Sequence, residues 1–179
     1  MISAKTTLIA GLFILSNQIF NDERGCFKKL LSENDFVKLS LESNFKEIYY
    51  STNKKDVIRG MHFQIPPMDH VKMIYVSSGK VLDVCLDLRR ESNTFGKCFS
   101  IILTDNDESY LYIPKGIAHG FVSLADNTII NYAQTSCYSG EYDCGIKYDS
   151  FGFSWPVDKP IISDRDMKFP DFKNWNSVF

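Results

Sequence analysis

Val71–Leu88 reads VKMIYVSSGKVLDVCLDL, two apolar runs separated by Ser77-Ser78-Gly79. Period-two alternation around a glycine-bearing break predicts a β-hairpin with those three residues as its turn. Along the second run Leu82, Val84, Leu86 and Leu88 share one face, and Asp83, Cys85 and Asp87 the other. On the first run Lys72 shares a face with Ile74 and Val76. An inner face that mixes apolar residues with Lys and Asp fits a barrel holding a polar ligand. An outward, solvated face fits the same charges. Position alone leaves both readings open.

Similar short runs extend in both directions, at Leu8–Leu15, Phe45–Tyr50, Phe99–Leu103, Ser109–Ile113, Gly120–Leu124 and Thr128–Gln134. Many short strands with turn signals between them predict an all-β sandwich or barrel. Helix is expected only where capping-box patterns occur, at Ser32–Asp35 and Ser163–Asp166, while Pro156, Pro160 and Pro170 break up the C-terminal part. No repeat or Pro/Gly/Ser linker divides the 179 residues, a length that suits one domain.

Charge and cysteine content narrow the function. A net charge of −2 supplies no global field for a polyanion, which argues against a nucleic-acid partner. Five cysteines form no C-x-x-C pair and read as free thiols, mostly small core residues, in a reducing cytoplasm. Leu8–Ser16 (LIAGLFILS) is apolar enough for a signal core, but only Lys5 charges its flank and no small-x-small cleavage site follows. It is far too short to span a bilayer. A buried N-terminal strand and a cytoplasmic protein are expected.

The candidate chemistry starts from absences. No G-x-G-x-x-G, Walker loop or G-x-S-x-G elbow occurs. Three histidines (His62, His70, His119) without an H-x-H pair make a metal site a weak reading. Arg59-Gly60-Met61-His62-Phe63-Gln64 gathers polar groups, with Gln64 on the strand face of His62. Taken alone, His62 fits a hydrogen-bonded core residue as well as a catalyst. His119 reads best as a buried imidazole satisfied by a carboxylate, Tyr132 as a core tyrosine, and Asp166 as the third helical residue of a capping box.

Together, the ordered motifs resemble the dTDP-4-dehydrorhamnose 3,5-epimerase family. They are NDERG (21–25), VIRGMHFQ (57–64), Val71-Lys72, GKVLDVCLDLRRESNTFGK (79–97), YIPKGIAHGFVSL (112–124), the Tyr132 strand and SDRDMKFP (163–170). The resemblance runs from about Phe20 to Phe172. It implies a cupin-type jelly roll, a homodimer, no cofactor or metal, and a nucleotide-linked 4-keto sugar as substrate. It makes His62 the general base, Asp166 its carboxylate partner, Lys72 the neighbour of the carbonyl oxygen and Tyr132 the acid on the opposite sugar face. His119 and Asp83 match supporting positions, and Arg24 and Arg59 positions that bind the diphosphate. Gln64 and Tyr138 complete the substrate-binding set.

The chain also departs from that pattern. Lys29 stands where a glutamate helps hold the nucleotide, and Glu47-Ile48-Tyr49-Tyr50-Ser51 replaces a Gln-x-Asn pattern. The expectation is a nucleotide other than dTDP (CDP or GDP), or another sugar such as a deoxy-heptose. A ketoisomerase, a metal-dependent cupin enzyme and a non-catalytic sugar-nucleotide binder are the competing readings.

Overall fold

A computed structural model describes residues 1–179. Thirteen strands form in chain order: β1 (Ser3–Thr6), β2 (Phe13–Ser16), β3 (Ile19–Asp22), β4 (Gly25–Lys28), β5 (Glu47–Asn53), β6 (Ile58–Gln64), β7 (Lys72–Ser78), β8 (Lys80–Asp87), β9 (Cys98–Thr104), β10 (Ser109–Ile113), β11 (Ile117–Ser123), β12 (Thr128–Gln134) and β13 (Asp143–Gly145). Helix is confined to α1 (Glu33–Lys38), α2 (Asp164–Met167) and a 3-10 turn at Phe172–Asn174. None is long and apolar enough to cross a membrane.

Two antiparallel sheets, ordered β1-β2-β10-β7-β12-β5 and β13-β6-β11-β8-β9, face each other as a jelly roll. Between them, Ile74, Val76, Leu111 and Ile130 meet Val81, Leu103, Ile117 and Phe121. That is the central core, and apolar burial supplies its stability.

The hairpin expected at Val71–Leu88 does not form. β7 pairs with β10 and β12, whereas β8 pairs with β11 and β9 in the opposite sheet. Gly79 makes the crossing, at φ +81° and so close to Thr128 that a Cβ would lie 2.4 Å from its Oγ1. A side chain there is excluded twice, by dihedral and by space. The face assignments survive the change of partner. Lys72, Ile74 and Val76 point into the sandwich, and Asp83 and Asp87 are fully buried, so the solvated-face reading fails. Val84, Leu86 and Leu88 form the other face, beneath Phe172, Trp175 and Phe179 of the C-terminal tail.

Smaller expectations also shift. Only Phe13–Ser16 of the apolar N-terminal segment is strand; a turn precedes it, with Ile9 and Leu12 buried and Leu8 exposed. Of the cysteines, all free, only Cys85 is a core residue, while Cys26 and Cys137 are exposed. Ser32 precedes α1 without a side-chain capping bond, but Ser163 Oγ accepts the Asp166 N–H and caps α2.

One irregularity shapes the site. His62 pairs with His119 and Arg59 with Phe121, so β6 holds one residue more than β11 over that interval. This β-bulge offsets the period of two. Arg59 and His62, three apart, would otherwise face opposite sides; both line the same cavity. The bulge needs glycine, because a Cβ on Gly60 (φ +142°) would sit 2.6 Å from Gly120 Cα. Gly60→Ala should therefore destabilise the fold by about 3 kcal/mol or more, read as a lowered urea midpoint. An unchanged midpoint would contradict this account of the bulge.

Candidate active site

The bulged strand and its neighbour β11, three strands of the facing sheet and helix α2 converge on a cavity of about 420 Å³. That volume suits a small organic ligand. β6 contributes Arg59, His62 and Gln64, and β11 contributes His119. From the opposite sheet β7 brings Lys72, β12 brings Tyr132, and β5 brings Glu47, Tyr49 and Ser51.

His62 Nε2 lies 2.9 Å from Asp166 Oδ1, and Asp166 Oδ2 accepts the Gly60 N–H at 3.1 Å. The residue expected as an ordinary capping-box member thus spends its carboxylate on the bulged strand. Burial pushes the Asp166 carboxyl upward, but the His62 bond and charge, the Gly60 N–H and Ser163 outweigh it and hold it below the usual value. An ionised carboxylate at Nε2 fixes the tautomer with its proton there. His62 Nδ1 is left with its lone pair and no partner in the chain, on a ring 31% exposed to the cavity.

His119 repeats the pairing deeper in the wall, with Nε2 2.7 Å from Asp83 Oδ2 and both groups buried. Its expected role as a carboxylate-satisfied imidazole holds, and its ring stands edge-on to Tyr132 at 6.4 Å. Tyr132 is itself 6% exposed, with its hydroxyl 3.1 Å from Ser51 Oγ. Burial, only partly offset by Ser51, raises its phenol well above the ordinary range, so it carries a proton at neutral pH.

Lys72 neighbours Gln134 across the β7–β12 pairing, and its Nζ makes no hydrogen bond or ion pair within the chain. Burial brings its pKa down to about 8, against the opposing pull of Asp143, Cys85 and Asp83. An unpaired ammonium in a cavity wall is costly for the fold and suited to meeting a negative oxygen. Nearby, burial and then Lys72 depress the His70 imidazole to about 3, so this third histidine stays neutral.

The remaining expected binding residues divide. Arg59 Nε donates to Asn53 Oδ1 at 2.8 Å, leaving the terminal nitrogens to the cavity. Tyr138 lines the mouth, and its N–H donates to Glu47. Gln64 lines the wall, but its amide is taken up by Met68, Ser136, Cys137 and Ser139, so it pins that loop. Arg24 is absent from the cavity. It sits on the β3–β4 hairpin, exposed and ion-paired with Asp22, because local hairpin geometry places it beside its own strand neighbours.

Residues 6–174 match the family model for dTDP-4-dehydrorhamnose 3,5-epimerase. The chain belongs to that family. Membership in the dTDP-4-dehydrorhamnose 3,5-epimerase family makes it an isomerase of the epimerase kind. The family enzyme of Methanothermobacter thermautotrophicus is 37% identical over 177 residues, covering 96% of this chain and 92% of the relative. A Bacillus anthracis epimerase crystallised with TDP and PPi superposes with a TM-score of 0.92 at 32% identity, covering 96% of this chain and 99% of its own. A Legionella pneumophila epimerase in complex with dTDP-4-keto-L-rhamnose gives 0.92 at 29% identity, covering 98% and 95%.

Some cavity groups were not foreseen as site residues, among them His70, Asp143 and Arg165. His70 was visible only as one of three histidines. Arg165 bonds Asp143 at 2.5 Å beside the dyad, a contact between β13 and α2 that no local pattern announces. Tyr49 and Ser51 share one face of β5 by alternation, but only the register with β12 puts them against Tyr132.

The buried ammonium has a thermodynamic signature. Unfolded, Lys72 holds its proton to about pH 10.5; folded, only to about 8. Between those values the unfolded chain binds more protons, so wild-type stability rises with pH. Lys72→Met should stabilise the protein at pH 7 by up to about 3 kcal/mol, the gap closing toward pH 10. Chemical denaturation at several pH values tests this, and a destabilised variant at pH 7 would contradict it.

Proposed function

We propose that this enzyme inverts C3, C5 or both in a nucleotide-linked 4-keto-6-deoxy sugar, without a cofactor, in cytoplasmic synthesis of bacterial surface-polysaccharide sugars. The observation that supports the reading is that His62 and Tyr132, on opposing sheets, line one cavity together with the unpaired ammonium of Lys72.

A C–H next to a ketone is acidic because the electron pair left behind spreads onto oxygen as an enolate. His62, oriented by Asp166, removes that proton through its free Nδ1. Lys72 meets the negative charge developing on the carbonyl oxygen, a contribution of about 3 kcal/mol for one well-placed donor. Tyr132 then gives its proton to the carbon from the other face, and the centre inverts. Each positioned acid or base supplies roughly 10²- to 10⁴-fold. The ketone already in the substrate makes the C–H labile, so no redox cofactor is called for. A ketoisomerase moves a proton along one face and has no use for an acid opposite the base.

Arg59, held through Nε, offers a planar fork suited to diphosphate oxygens. The TDP-bound and dTDP-sugar-bound relatives favour a thymidine nucleotide. Glu47, Tyr49 and Lys29 favour a different base or sugar, and comparative titration of dTDP, CDP and GDP decides between the two.

Arg24 reaches a substrate only if a second copy brings it. The β3–β4 hairpin exposes Phe20 and Phe27, and edge strand β5 exposes Ile48 and Tyr50, which fits a homodimer joined through these surfaces. Mass photometry should show a dimer, and Arg24→Ala should weaken diphosphate binding severalfold. A monomer whose affinity is unchanged by that substitution would refute this arrangement.

Incubating the enzyme with a 4-keto-6-deoxy sugar nucleotide in D₂O, followed by NMR, tests the chemistry. Deuterium should enter at C3, C5 or both, with inversion. His62→Ala should abolish exchange, whereas Tyr132→Phe should permit exchange and impair inversion. Exchange that survives loss of His62 would remove it as the base.

A further inference from the structure

Tyr132 must hold its phenol over one carbon of a bound sugar, yet a tyrosine side chain turns about two bonds. Three groups restrain it. Ser51 Oγ meets its hydroxyl at 3.1 Å, and the His119 ring stands edge-on at 6.4 Å. The third is Tyr49, its direct cross-strand partner in the β5–β12 ladder. The two rings lie 4.7 Å apart and 14° from parallel, a stack covering one face of Tyr132. Tyr49 is fixed in turn by a 3.3 Å hydrogen bond from its hydroxyl to Gln134 Oε1, two residues along β12 from Tyr132.

The geometry points to Tyr49 as the positioning residue of the acid: its flat ring keeps the Tyr132 phenol aimed at the substrate carbon opposite His62. Tyr49 performs no proton transfer here. Burial, with Glu47 and Asp143 adding to it, brings its phenol up to about 12, which leaves it a neutral hydrogen-bond donor to Gln134. No other aromatic ring stacks in parallel on Tyr132; the His119 contact is perpendicular and leaves that face open. A small residue at position 49 would let the phenol swing into the vacated space. Displacement of a reacting group by about 1 Å is enough to lose about 100-fold.

The inference rests on the epimerase reading, and the experiment separates the two. Tyr49→Ala, Tyr49→Leu and Tyr49→Phe are compared with wild type in D₂O, scoring by NMR the rate of solvent exchange and the rate of inversion on the same sample. Tyr49 also lines the cavity, so the two rates are compared at saturating substrate; with His62 and Asp166 on the other side, loss of the ring should cost inversion more than exchange. Inversion relative to exchange should fall about 10- to 100-fold in the Ala and Leu variants. It should return close to wild type in the Phe variant, which keeps the ring and loses the hydroxyl. Leu retains an apolar side chain on the strand and serves if Ala does not fold. A merely structural role would lower both rates together. An inversion-to-exchange ratio unchanged in Ala and Leu, or as low in Phe as in Ala, overturns the role assigned to the Tyr49 ring. Wild type showing neither exchange nor inversion overturns the epimerase reading, and this inference with it.

Discussion

Gly60 on β6 and Gly120 on β11 bring their backbones closer than any side chain allows, and the active-site half of the second sheet follows from that approach. The extra residue on β6 rotates Arg59 onto the face of His62 and leaves the Gly60 N–H turned toward the C-terminal helix. Asp166 uses that N–H to seat one carboxylate oxygen while the other orients the imidazole. One backbone irregularity thus brings Arg59 into the cavity and seats the carboxylate that bonds His62.

The opposite sheet follows a different logic. Its contribution, Lys72 and Tyr132, comes from neighbouring central strands, and the Lys72 ammonium is left unsatisfied. An ammonium without a partner works against folding, whereas a substrate that becomes negative during reaction supplies what the protein withholds. The neighbouring imidazole of His70 is kept neutral by burial and by that same ammonium. In the proposed reaction that local cost leaves an ammonium free to meet a developing negative oxygen.

The all-β class was legible because short alternating runs with glycine breaks leave few other architectures, and spacing put Lys72 on one face with Ile74 and Val76 without deciding that this face points inward. Strand partnership was not. Val71–Leu88 carries every local mark of a hairpin, yet its two halves join opposite sheets, β7 between β10 and β12 and β8 between β11 and β9, since pairing is decided by which faces must be buried together. The dyad was legible only through motif order, as a serine-capped helix gives no hint that its third residue reaches a strand in the barrel. Arg24 had the right motif and the wrong place within one chain, because motif matching carries no distances. Tyr49 owes its position to register with β12, which composition does not encode.

Asp166 lies 104 residues beyond the histidine it orients, on a helix of four residues that belongs to neither sheet. Synthesis proceeds from the amino terminus, so both sheets can leave the ribosome and collapse before that carboxylate emerges. A nascent chain at that stage holds the His62 imidazole without the carboxylate that orients it. The orientation of His62 thus waits on a segment made after both sheets.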